Sequence, residues 1–203
     1  MPLKALALNC SLKPKQQESS TEKLLREVLG SLSSYGVEAD MLRIVDFNIK
    51  PGVTSDEGEG DDWPGIRAHV MGCDILVFGT PIWLGQPSSV AKRVLERMDA
   101  FLGETDENGR MPSFNKIAVI VIVGNEDGAH HVTAELCQAL MEVGFTIPAN
   151  GATYWVGEAM GKIDYKDLPK VPAKVAQTTA MLAANAVHLA RLLKASPYPG
   201  TRT

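Results

Sequence analysis

The run KIAVIVIVGN, residues 116–125, constrains this chain more than any other stretch. It is β-branched and continuously apolar, so a strand built from it must be covered on both faces, as the central strand of a parallel sheet is. Helices must then supply both covers. LKALALN (3–9) and DILVFGT (74–80) have the same character, VEADMLRIV (37–45) alternates well enough for a further strand, and FTIPANGATYWVG (145–157) holds the last. Between them lie segments of helical period. STEKLLREVLGSLSSYG carries Leu24, Leu25, Val28, Leu29 and Leu32 at three- and four-residue steps and ends at Gly36. DWPGIRAHVMG reads as a short helix with Pro64 near its start, SSVAKRVLERMDAFL as one capped by Ser88 or Ser89, and AHHVTAELCQALMEVG as a fourth. This alternation predicts an α/β fold, a doubly wound parallel sheet of five strands with right-handed crossovers and helices on both faces.

A length of 203 residues fits one domain. The expected division is a main unit over 1–160 and a C-terminal connection with an additional helix over 161–203. That helix, PAKVAQTTAMLAANAVHLARLLKA, repeats Ala176, Ala180, Ala183, Ala186 and Ala190 on a small-residue face suited to packing on the sheet or across a subunit interface. Net charge is −4, from 20 basic and 24 acidic residues, which disfavours nucleic acid as the main ligand. No apolar run approaches membrane-spanning length, and the N-terminal apolar stretch is too short for a signal peptide, so the expectation is a cytoplasmic protein. Cys10, Cys73 and Cys137 lack paired spacing and read as free thiols, Cys10 as a small buried residue at a strand end. Residues 52–62, GVTSDEGEGDD, miss the EF-hand template and read as a solvated mobile loop. No third metal ligand accompanies His130 and His131 at recognisable spacing.

In an open sheet of strand order 2-1-3-4-5, ligands lie beyond the C-terminal strand ends, between strands one and three. The unusual residues fall there. NCSLKPKQQESST brings Ser11, Ser19, Ser20 and Thr21 to a helix N-terminus, an arrangement suited to a phosphate monoester, although serines before a helix also serve as plain caps. TPIWLGQPSS joins two turn-stiffening prolines, Pro81 and Pro87, to a flexible Gly85 and to Trp83, a wall for a flat aromatic ring or else a plug at the sheet edge. VGNEDGAHH brackets Asn125, Glu126 and Asp127 between Gly124 and Gly128, able to aim backbone N–H groups at a ring edge. A triphosphate loop and a dinucleotide fingerprint are both absent, as is a G-x-S-x-G nucleophile elbow.

At these three loops the chain resembles the NAD(P)H-dependent FMN reductase and flavodoxin family of small flavoproteins, over roughly residues 3–160. The resemblance implies a flavodoxin-like fold and FMN as cofactor, with NADPH or NADH as co-substrate. It places Ser11, Ser19, Ser20 and Thr21 at the phosphate and Pro81, Ile82, Trp83, Leu84 and Gly85 along the isoalloxazine. Gly124, Asn125, Glu126, Asp127, Gly128 and His130 come near the pyrimidine edge. Val123 departs from the threonine of many relatives and removes a hydroxyl contact to the ring. His130 is a candidate donor to the reduced flavin, with a solvent-facing helix start as its other reading; His131 is read as facing solvent. The implied activity is an oxidoreductase in which reduced nicotinamide reduces FMN and the flavin reduces free flavin or a quinone, with the chemistry supplied by the cofactor and not by catalytic side chains. The alternative is an electron-transfer flavoprotein without nicotinamide turnover. A small-molecule acceptor and a homodimer are the expected partners.

Overall fold

The computed structural model describes residues 2–201; Met1, Arg202 and Thr203 lie outside the described residues. Its strands are β1 (Lys4–Asn9), β2 (Glu38–Arg43), β3 (Ile75–Trp83), a two-residue β4 (Gln86–Pro87), β5 (Ile117–Gly124) and β6 (Ala152–Val156). The parallel strands stand in the order β2-β1-β3-β5-β6, and β4 pairs antiparallel with the end of β3. Set β4 aside and this is the expected 2-1-3-4-5 order of a flavodoxin-like sheet.

Among the described residues five α-helices cover the sheet: α1 (Ser20–Ser33), α2 (Trp63–Gly72), α3 (Ser89–Met98), α4 (Ala129–Glu142) and α5 (Ala173–Ala195). The two-residue period of a strand decides which residue meets which layer. Along β5, Ala118, Ile120 and Ile122 pack with α2, α3 and α4. Ile117, Val119, Val121 and Val123 point the other way and pack with α1 and α5. Both faces of β5 are covered by helices, and Ile117–Gly124 carries no polar side chain. Full burial of each valine or isoleucine side chain here contributes about 1.5 to 3 kcal/mol.

Helix α1 begins where Ser19 accepts a hydrogen bond from the Glu22 amide at 3.3 Å, and it buries Leu24, Leu25, Val28, Leu29 and Leu32 as their spacing predicts. It lies so close to β3 that a Cβ at Gly79 would come within 2.7 Å of the Leu25 side chain. Helix α5 differs from its expectation. Ala183, Ala186 and Ala190 are buried on the sheet with Leu182 and Val187, whereas Ala176 and Ala180 face outward. The helix enters its packing through larger side chains, Val175 and Thr179.

Residues 52–62 also differ, being neither solvated throughout nor loosely held. Asp61 and Arg97 of α3 form an ion pair at 2.8 Å with both side chains fully buried. Arg97 also donates to the carbonyls of Lys50 and Thr54. A buried guanidinium needs a counter-charge and acceptors; this acidic segment and Lys50 provide them for Nε and Nη1, while Nη2 is buried without an acceptor among the described residues. Burial alone would raise the Asp61 carboxyl; the amides of Glu57, Lys50 and Trp63 together with Arg97 hold it at about 2.

Candidate functional site

Beyond the C-terminal ends of β1, β3 and β5 lies a cavity of about 470 Å³. The first loop, between β1 and α1, supplies its polar end: Ser11, Ser19, Ser20 and Thr21 all line it, together with Leu12 and Lys13. Ser11, Ser19 and Thr21 are buried. Ser19 is occupied as the cap of α1. Ser11 accepts from the Lys13 amide at 3.2 Å and Ser20 accepts from the Lys166 amide at 3.2 Å, which leaves both hydroxyl protons to donate elsewhere. Thr21 makes no side-chain hydrogen bond among the described residues. The amides of Ser20 and Thr21, at the first two positions of α1, belong to the donors every helix leaves unpaired. Lys13 adds a positive charge that the sequence did not single out.

Pro81, Ile82, Trp83 and Leu84 form the next wall. Pro81 to Trp83 extend β3, where a loop was expected from the two prolines. Leu84 and Gly85 turn the chain back onto β4, with φ of 53° and 73°. Positive φ at both central residues defines the tight hairpin turn that matches strand twist. Glu126 fastens this tip, its carboxylate accepting from the amides of Leu84 at 3.0 Å and Gly85 at 3.2 Å. Trp83 is left 53% exposed and Leu84 92% exposed. Ser88 ties the hairpin to the first loop: its amide donates to Thr80 Oγ1 at 3.0 Å and its hydroxyl to the Cys10 carbonyl at 2.6 Å. Cys10 itself is buried, and burial pushes its thiol far above the ordinary range, so it is an inert packing residue.

From the loop after β5, Val123, Gly124, Asn125 and Glu126 line the cavity. Asn125 donates from Nδ2 to Asp164 at 3.0 Å, while its Oδ1 is buried without a hydrogen-bond donor among the described residues. Gly85, Asp127, Gly128 and His130 do not line it. Gly128 instead packs on the hairpin, where a Cβ would come within 2.8 Å of the Gly85 Cα. His130 is exposed, with Nε2 at 2.9 Å from the Tyr154 hydroxyl. His131 is exposed as well, and its Nε2 lies 3.0 Å from Gln86 Nε2.

The structure adds lining residues that sequence reasoning missed: Trp155, Met160, Asp164 and Tyr165. Trp155 sits near the end of the last strand, on the same rim as the other loops, and strand order alone points to it. Asp164 and Tyr165 belong to a polar connection that carries no motif. Burial, then a hydrogen bond to Glu27, raises the Tyr165 hydroxyl well above its usual range, so it stays protonated and donates to that carboxylate. Lys23 of α1 holds the same segment by its backbone, donating to the carbonyls of Tyr165 at 3.2 Å and Leu168 at 3.0 Å.

Parallel strands in this order, with a cavity spanning their switch point, define a flavodoxin-like protein. Residues 3–160 match the family model described as NADPH-dependent FMN reductase. The chain belongs to this family, which binds FMN and uses NADPH. Among its relatives is the 8-demethyl-8-aminoriboflavin-5'-phosphate synthase of Streptomyces davaonensis, 34% identical over 98% of this chain and 81% of that protein. The crystal structure of RosB with bound 8-demethyl-8-formylriboflavin-5'-phosphate superposes with a TM-score of 0.87 at 31% identity, over 97% of this chain and 82% of that one. A Mycobacterium bovis protein named divalent metal cation transporter MntH is 34% identical over 95% of this chain, which spans only 29% of that protein's length. No helix among the described residues is long and apolar enough to cross a membrane.

The residues present fit FMN. Hydroxyls, first-turn amides and Lys13 at one end suit a phosphate dianion. Trp83, Trp155 and Tyr165 suit a flat ring, and the orphaned Asn125 Oδ1 suits a ring carrying an imide N–H.

Proposed function

We propose that this protein is an FMN-dependent oxidoreductase in which reduced nicotinamide reduces bound FMN and the electrons then pass to a small-molecule acceptor, free flavin or a quinone. FMN, when bound, supplies the hydride and electron chemistry. The observation that carries this reading is a single cavity joining a phosphate-type helix N-terminus to an aromatic wall that is half open to solvent. The buried end holds: Thr21, Ser20 and Lys13 secure the phosphate. The exposed end admits: Trp83 and Leu84 leave room for a second flat molecule to approach. Residues 161–201 act with the main unit and not as an appendage, because Asp164 and Tyr165 complete the ring end. The working form is a homodimer in the cytoplasm.

Anaerobic mixing of the FMN-loaded protein with NADPH, and separately with NADH, tests the activity. Rapid bleaching of the flavin followed by recovery on adding free flavin or a quinone is expected. Identity of 34% to a flavin-modifying synthase favours one further reading, in which riboflavin phosphate is the substrate and not a resident cofactor. Mass analysis of the chromophore after turnover separates them. FMN that fails to bleach, yet emerges with an altered mass, would replace the first reading by the second.

A further inference from the structure

Arg43, the last residue of β2, does not touch the cavity, yet it organises the loop that forms the cavity's polar end. Its Nη1 lies 2.9 Å from the Lys13 carbonyl, 2.8 Å from that of Pro14 and 2.9 Å from that of Gln17. Its Nη2 pairs with the Glu22 carboxylate, and the side chain is only 11% exposed. Resting on the reading of this cavity as a flavin phosphate site, we propose that Arg43 is a positioning residue for phosphate recognition. It sets the selectivity of the site for a phosphorylated flavin over an unphosphorylated one.

Two physical effects carry this. The loop from Cys10 to Ser19 holds itself by one backbone turn, from the Gln17 amide to the Pro14 carbonyl, and by the Lys13 amide on the Ser11 hydroxyl; its other ties come from outside. Arg43 gathers three carbonyl oxygens on its guanidinium, and Asp46 takes the Lys15 amide at 3.1 Å. Carbonyl dipoles held in that direction are kept off a bound anion, and the Lys13 backbone is fixed beside the cavity. The second effect is charge. Glu22 stands in the first turn of α1, three residues from the cap, where an uncompensated carboxylate would repel a phosphate. Arg43 neutralises it from one side and Arg26, at 2.6 Å, from the other. Arginine suits both tasks because its planar fork serves carbonyls and a carboxylate at once; a lysine ammonium cannot span them.

The test compares two ligands that share a ring and differ by the phosphate, FMN and riboflavin, by fluorescence titration of the full chain. Wild-type protein binds FMN more tightly than riboflavin. Arg43→Ala raises the FMN dissociation constant by about tenfold or more, the scale of one charge-assisted hydrogen bond. Riboflavin binding stays within about twofold, since the ring end is untouched. Arg43→Lys gives an intermediate loss for FMN alone, and it carries the test if the alanine variant fails to fold by circular dichroism. Equal losses for the two ligands would show a merely structural role and overturn the proposal, as would unchanged FMN binding in both variants. A wild-type protein that does not prefer FMN over riboflavin would instead remove the phosphate-site reading, and this proposal with it.

Discussion

The hydroxyls at the start of α1 look alike in sequence and divide by role in the structure. Ser19 caps the helix, whereas Thr21 is buried at the cavity with no side-chain partner among the described residues. Ser19→Ala is therefore expected to lower unfolding free energy by about 1 kcal/mol. Thr21→Val should leave stability nearly unchanged and weaken FMN binding by about 1.5 to 3 kcal/mol for the charged hydrogen bond lost. Chemical denaturation and FMN titration of the two variants check the division, and a stability loss in the second would refute it. Leu84 is a second single-residue case. A branched apolar side chain at φ 53° and 92% exposure is unfavourable on both counts. Leu84→Asn should raise stability by about 0.5 to 1 kcal/mol, because asparagine accepts that backbone, while weakening flavin binding through the lost apolar wall. A more stable variant with undiminished flavin affinity would show that the leucine serves no ligand.

Among the elements, α3 and the acidic segment before α2 depend on each other through Arg97 and Asp61. Asp61→Ala leaves a guanidinium buried without its counter-charge and is expected to cost about 3 to 5 kcal/mol, measured by urea unfolding at neutral pH. The sign of the pH dependence follows from a folded carboxyl held at about 2, below its value of about 3.9 in an unfolded chain. A depressed pKa stabilises fully above about pH 4 and is lost as pH falls towards 2. Wild-type stability should therefore fall across that window, and Asp61→Asn should lack this component of the fall. Parallel losses in the two proteins would mean that other carboxylates govern the acid limb. The hairpin at β3 and β4 teaches a related lesson. Prolines in the sequence argue for a loop, but Pro81 pairs in register with Val123 at the last position of that ladder, where the strand still has a neighbour.

For the whole molecule, the exposed apolar residues around the cavity bear on assembly. Trp83, Leu84 and Met160, the last 95% exposed, surround one opening. A homodimer that borders this rim and leaves a path to the ring is expected by light scattering at working concentration, and a monomer there would contradict it. Trp83→Ala should slow nicotinamide-driven flavin reduction more than it weakens FMN binding, because the phosphate loop anchors the ligand independently. Stopped-flow reduction at saturating FMN compares the two effects. A variant that loses FMN outright yet reacts at the normal rate when saturated would reverse the assignment.

The order and type of the elements were legible from the chain because they rest on periodicity: an unbroken apolar run has only one environment, and a three-and-four spacing has only one face. The three cavity loops were legible for the same reason, since strand order brings all of them to one rim. What adjoins a loop across the fold is set by tertiary contact. Asp164 and Tyr165 reach the cavity because Lys23, Glu27 and Ser20 hold their segment against α1, more than 130 residues earlier in the chain. The acidic loop acquired its role only when Arg97 was buried beside it. Arg43 reads as an ordinary strand-end residue until the carbonyls of the first loop are seen to converge on it. Local spacing encodes hydrophobic faces, whereas buried charges and carbonyl clusters are satisfied by partners that only the folded chain brings near.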